Sequence, residues 1–307
     1  MGLVLLPGDF TNPNADVVEV TAHGDVDFTS SFAHGDHHAS MSEGRHFDAP
    51  DRIGSGWTTV RFHNEAEETH FAFLYRLPEG KTHEDVLAET APPYDHVLQQ
   101  RQAGKLDKQA ALETLFERLP EWSTGITAMG GPGLVAPGRT AQATMRLEPG
   151  TYVMECYVKT PHGHFHAAHG MSQELTVTDS DSGGSPPEAD VGITLANGEI
   201  AVKGTMTPGE QTVAVRYREH PEGRILGNDV HLARVGHETD MEAVATWMDW
   251  LNVGGLKAPA PVEFLGGVHE MPAGQTAYFT VDVKPGRYAW IAEQPADQGM
   301  WQTFSVE

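Results

Sequence analysis

The sequence has a single cysteine, Cys156, in 307 residues. No internal disulfide can form, so disulfides say nothing about compartment, and the thiol is left to be buried, reactive or metal-ligating. Basic residues are scarce as well: 20 Lys and Arg face 43 Asp and Glu, a formal charge of −23. Such a surface repels phosphate backbones and anionic lipid, which argues against nucleic acid and suits a basic protein partner or a cation. Long apolar runs are missing too. The opening MGLVLLPGDF has four apolar residues before Pro7, too few for a membrane span, and it lacks the basic start and cleavage site of a signal peptide. No membrane insertion is expected. A phosphate-cradling Gly-rich loop, His-Glu-x-x-His and Gly-x-Ser-x-Gly are all absent, and GGPG at 130–133 reads as a turn.

What is present is a turn-rich chain, with 33 Gly, 20 Pro and 39% hydrophobic residues, long enough for two domains. The stretch VTDSDSGGSPPEADVG, 177–192, has the composition of an exposed linker. Domains are therefore expected at 1–178 and 191–307, joined by 179–190. One pattern recurs on both sides of the linker: GRTAQATMRLEPGTY from Gly138 and GQTAYFTVDVKPGRY from Gly274, an offset of 136 residues that the pairs Gly130/Gly131 and Gly266/Gly267 keep. Each copy alternates apolar and polar residues, turns at Pro-Gly and alternates again, which predicts antiparallel strands of a β-sandwich. A second match sets TTVRFHNEAEETHFAFLYRL (58–77) against QTVAVRYREHPEGRILGNDVHLARV (211–235). Helical periodicity follows in both copies, within 82–119 and over 240–251, and reads as packing elements.

The segment CYVKTPHGHFHAAHGM, 156–171, gathers the only thiol, four of 17 histidines and a thioether. Period-two alternation puts Tyr152, Met154 and Cys156 on one strand face, so Cys156 points inward at the strand's end. In the second copy Tyr288, Trp290 and Ala292 take those places, and Met300 matches Met171. The loop of the first copy is seven residues longer, and the excess is largely the histidine-rich part.

A Tyr-x-x-x-Cys … His-x-x-x-x-Met loop closing a Pro-Gly hairpin resembles the cupredoxins, the plastocyanin-like blue copper proteins. The resemblance implies an all-β fold of two tandem Greek-key β-sandwich domains, each with a helical insertion. It implies copper held by the Cys156 thiolate, the His166 imidazole, the Met171 axial thioether and His70, the last supplied by NEAEETH. One departure matters: nine residues separate Cys156 from His166 where plastocyanin has two, which leaves His162, His164 and His169 as alternative loop ligands. Two imidazoles, a thiolate and a weak thioether suit both Cu(I) and Cu(II), so little rearrangement accompanies electron transfer. The second copy has Ala292 for the cysteine and Asn228 for His70, and is expected to hold no copper through this loop. A second cluster, His34, His37 and His38 with Asp36, reads either as a Cu(II) or Zn(II) site or as an exposed polar loop.

The expected function is electron transfer through a mononuclear Cys/His/His/Met centre, with a basic redox partner. Alternatives are copper storage, delivery or resistance through the histidine-rich loops, and a metal-free scaffold. A copper oxidase or nitrite reductase is not expected, because Glu155 and Tyr157 rather than a histidine flank Cys156 and no paired His-x-His motifs occur in both copies. The chain is thus expected not to be an enzyme. A periplasmic or extracellular location is expected, on the premise of a removed signal peptide.

Overall fold

A computed structural model describes residues 15–24, 44–196, 198–221, 227–293 and 299–307. The strands of the first half are β1 (Asp16–His23), β2 (His46–Asp48), β3 (Arg52–Asn64), β4 (Phe73–Arg76), β5 (Thr127–Ala128), β6 (Thr140–Leu147), β7 (Gly150–Glu155) and β8 (Ser172–Asp181). Those of the second are β9 (Val191–Ala196), β10 (Glu199–Lys203), β11 (Gly209–Tyr217), β12 (Val230–Val235), β13 (Glu263–Val268), β14 (Thr276–Val283), β15 (Gly286–Ile291) and β16 (Trp301–Val306). Helices are α1 (His83–Asp85), α2 (Ala91–Gln102), α3 (Lys108–Arg118) and α4 (Met241–Met248). The expected insertions leave from the same place in each half, between β4 and β5 and between β12 and β13. Local chemistry starts them: Thr82 and Asp85 cap one another's backbone at α1, and Asp107 and Asp240 accept from the amides of Ala110 and Ala243 in the first turns of α3 and α4.

The fold is all-β, built as two sandwiches. Among the described residues one hydrogen-bonded path runs β10-β9-β11-β14-β6-β3-β8-β7-β4-β5, with β1 beside β3, and a second sheet runs β13-β12-β15-β16. β3 turns the first path from one layer to the other. Its first residues lie parallel to β8, and from Gly56 it lies antiparallel to β6. Gly56 sits at φ +107°, in the left-handed region that a side chain would strain. The pairing with β3 also draws β8 out to Asp181, so the strand extends into the stretch whose composition suggested a linker.

The two halves meet as equivalents. β6 and β14 are the same strand of the repeat, and they pair antiparallel about Ala143 and Phe279, residues one repeat offset apart. Beside this seam, buried Thr59 and Thr144 join hydroxyls at 2.7 Å, and their counterparts Thr212 and Thr280 do so at 3.1 Å. A second seam uses the GGPGLVA segment. Val135 pairs with His70 on one side and with Leu265 of β13 on the other, while Gly133 N–H donates to Gly267 O. The turn expected at GGPG therefore stitches the two sandwiches together, and the apolar core runs through both.

Candidate metal centre

Cys156 follows directly after β7, fully buried, and its amide donates to Met171 O at 3.0 Å. His70 stands just before β4, held by reciprocal backbone bonds to Val135. Asn64 shapes the approach: its side-chain amide donates to Glu68 O and Val135 O, and its carbonyl accepts from Ala66 N–H. His166 opens a turn of 3-10 helix over 166–169, its amide donating to Val158 O at 2.8 Å and its carbonyl accepting from Met171 N–H. Gly170 closes that turn at φ +103°, where a Cβ would run into Arg45 O. These bonds bring the backbones of Cys156, His166 and Met171 together.

The side chains converge accordingly. Cys156 Sγ lies 3.6 Å from His70 Nδ1 and 3.8 Å from His166 Nδ1, and the two Nδ1 atoms lie 3.1 Å apart. Donors around one ion at bond lengths of about 2.0–2.3 Å would be spaced roughly 3–4 Å from one another. All three residues are buried, as is Met171. Burial pushes the Cys156 thiol up to about 12 and holds His70 and His166 below the usual imidazole value. Two neutral imidazoles and a thiol are thus what the protein offers, and an incoming ion must displace the thiol proton. A soft sulfur with two imidazoles fits copper or zinc.

Behind the donors stands a charged pair. Glu68 Oε2 lies 3.1 Å from His166 Nε2 and accepts from Arg45 at 2.8 Å. Burial alone would raise the Glu68 carboxyl, but the nearby His166 and Arg45 outweigh it and keep the group ionised. The carboxylate fixes the His166 ring with Nδ1 turned to the sulfur, the arrangement by which outer partners orient metal-ligating histidines.

Of the histidines on the loop, His166 enters the cluster. His162 and His164 are exposed and His169 is half-buried, with His164 and His169 rings 5.6 Å apart. The bond from His166 N–H to Val158 O selects the inward residue. His34, His37 and His38 lie outside the described residues. Two further features escaped the sequence reading. One is a buried group of Asp229, His231 and His269 whose ligand atoms lie within 4.8 Å of one another. Its only trace in the sequence is that Asp229 and His231 share a strand face. The other is a cavity of about 570 Å³ between the helical insertion and the sheet, lined by Val86, Tyr94 and Phe116 on one side and Phe73, Glu155 and Tyr157 on the other.

No protein-family profile matches the chain, and no curated protein matches it. Solved structures do. Auracyanin A, a "blue" copper protein from Chloroflexus aurantiacus, is 15% identical with TM-score 0.27, covering 53% of this chain and 98% of its own. A multicopper oxidase is 13% identical with TM-score 0.23, covering 95% of this chain and 88% of its own. A copper-containing nitrite reductase from Thermus scotoductus SA-01 is 10% identical with TM-score 0.22, covering 95% and 61%. The expectation that the chain is not an enzyme is corrected here, since two of these matching structures are enzymes.

Proposed function

We propose that this chain is a copper protein of two tandem cupredoxin-like domains, 1–178 and 191–307 with 179–190 between, whose first domain holds one copper through Cys156, His70, His166 and Met171 for electron transfer. The observation that carries the reading is the convergence of Cys156 Sγ and two imidazole Nδ1 atoms, 3.1–3.8 Å apart, in a buried site. Copper so held supplies a one-electron couple with little change of ligand geometry between its two states. The protein's part is to keep that geometry. Glu68 fixes the His166 ring, Val135 fixes the His70 backbone, and burial keeps water away from the donors. Cys156 also gives a covalent route outward to Tyr157 and the cavity wall. The net charge of −23 favours a basic redox partner.

In the second domain Ala292 and Asn228 stand in place of the cysteine and the first histidine, so this domain binds no copper through the equivalent loop and serves as a rigid partner for the first. The cupredoxin-like fold favours a periplasmic or extracellular location. The test is a Cu(II) titration followed by visible absorption and electron paramagnetic resonance, with Cys156→Ala alongside. A strong thiolate-to-copper band at one equivalent, lost in the variant, supports the reading. Weak d–d absorption untouched by the substitution replaces it with histidine-based copper storage or delivery, and no binding replaces it with a metal-free scaffold.

A further inference from the structure

On the strand faces that alternate with the metal centre, the two copies carry opposite chemistry. Phe71, Phe73 and Tyr157 of the first copy stand where the second has Asp229, His231 and Glu293, an equivalence fixed by the shared register of β4 with β7 and of β12 with β15. The two faces meet. The His269 ring lies 4.5 Å from Phe71 and 5.1 Å from Phe73, and Tyr157 O–H donates to Glu293 Oε2 at 2.7 Å. Aromatic rings of one copy thus wall a set of titratable groups of the other.

We propose that Asp229, His231 and His269, with Glu293 beside them, form a second, thiolate-free metal site for a divalent transition-metal ion of the zinc or copper(II) class. The three residues are buried, and their ligand atoms lie within 4.8 Å of one another. Leu134 N–H donates to His231 Nδ1 at 3.1 Å, which leaves the proton of this ring on Nε2, the nitrogen 2.9 Å from Asp229 Oδ2. A metal ion would take the place of that proton. Within this group His269 Nε2 and Glu293 Oε1 are buried without a hydrogen-bond partner, and a buried polar atom without a partner costs about 1–3 kcal/mol. The partners of the Asp229 and Glu293 carboxylates are an imidazole, a backbone amide and a tyrosine, with no ammonium or guanidinium among them. Buried carboxylates call for a cation or a proton.

Two imidazoles with one or two carboxylates and no sulfur define a borderline-hard site, suited to Zn(II) or Cu(II) and distinct from the thiolate centre. Phe73 and Tyr157, which touch this cluster, also line the 570 Å³ cavity, so the cavity is the route by which an ion reaches it.

The experiment uses the full chain carrying His70→Gln and Cys156→Ser, which disables the first centre, freed of metal and dialysed against Zn(II) before counting bound zinc. About one equivalent is expected, falling at least tenfold on adding His269→Gln or Asp229→Asn, with circular dichroism confirming a folded chain. Zinc retained equally by those added variants would belong to exposed histidines and would overturn the site. No retained zinc in the background would overturn it as well. Where the added variants do not fold, Co(II) in the background protein decides: visible bands of a closed nitrogen and oxygen site support the proposal, and the spectrum of solvated ion refutes it. Since the background lacks Cys156, failure here leaves the thiolate centre standing, and failure of the thiolate band leaves this site standing.

Discussion

The loop after β7 and the loop after β15 are the same construction with different contents. In both, the residue at the strand's end donates its amide to a methionine carbonyl: Cys156 to Met171 at 3.0 Å, Ala292 to Met300 at 3.1 Å. In both, a tyrosine hydroxyl reaches back to the carbonyl just before the Pro-Gly turn: Tyr152 to Glu148 and Tyr288 to Lys284, each at 2.7 Å. What differs is the side chains and the seven extra residues of the first loop. The comparison separates scaffold from chemistry, because backbone bonds, the corner tyrosine and the buried methionine persist where the thiol is gone. The buried methionine, Met171 in one copy and Met300 in the other, is therefore a packing residue in both, and the proposed donor role of Met171 is an addition to it.

The largest effect should come from the device that holds the longer loop, which the second copy lacks. Lys159 is fully buried, and its ammonium donates to Trp250 O and Asn252 O beyond α4, while its backbone bonds to Leu256 and Ala258. Burial lowers it to about 7, against the attraction of Asp249 and Glu293. The unfolded chain then binds more protons than the folded one between about pH 7 and 10.5, so this group makes stability rise with pH through that window. Its full span is roughly 4–5 kcal/mol at about 1.4 kcal/mol per unit. Denaturant unfolding of the native chain and Lys159→Met should show the native chain gaining on the variant as pH rises from 7 to 10. A pH-independent difference would mean that Lys159 is not a buried charge.

A test that strikes both copies alike comes next. Gly131 and Gly267 are repeat equivalents at φ +105° and +148°, and a Cβ on either would overlap the carbonyl oxygen of Ala72 or Val230, themselves equivalents. Gly131→Ala and Gly267→Ala should each cost about 3 kcal/mol or more, read as a shift in denaturant midpoint. Only the first should also weaken copper binding, because Gly131 lies in the strip that positions His70. Equal loss of copper from both would show that the centre depends on the joint core rather than on its own strip.

Glu68→Gln sharpens the contrast further. It leaves the three donors in place and removes the carboxylate that faces His166 Nε2 and Arg45. Copper affinity should fall about 10–100-fold, with the thiolate band retained but altered. An unchanged spectrum and affinity would make Glu68 a surface partner of Arg45 and nothing more.

How much of this was legible in the sequence follows from the same contrast. Cys156, Met171 and the hairpins could be placed because period-two alternation and the Pro-Gly turn are local, and the repeat fixed which residues correspond. The choice of His166 over His162, His164 and His169 could not, since it hangs on one backbone bond to Val158 and on Lys159 reaching the second sandwich. Arg45 and Glu68 meet across 23 positions with no periodic signal. The group of Asp229, His231 and His269 leaves no such signal, because these residues lie on the strand face opposite the thiolate site and are gathered by β12, the strip after β13 and the packing of the two copies.

The smallest expected effect is the most direct measure of likeness between the copies. Tyr152 and Tyr288 are both buried, make the same bond at the same length, and each loses only a hydroxyl in the change to Phe. The ring packing survives, so the cost at Tyr152 is one hydrogen bond and one unpartnered carbonyl, about 1–1.5 kcal/mol, while Tyr288 also loses the longer bond its hydroxyl accepts from Lys284 N–H at 3.2 Å. The corner lies at the hairpin's turn, at the far end of β7 from Cys156. Tyr288→Phe should therefore lower stability at least as much as Tyr152→Phe, and Tyr152→Phe should leave the copper spectrum untouched. A larger cost at Tyr152 would show that the two hairpins share a shape without sharing its energetics. A spectral change in Tyr152→Phe would show that the strand carries strain from its turn to the metal centre.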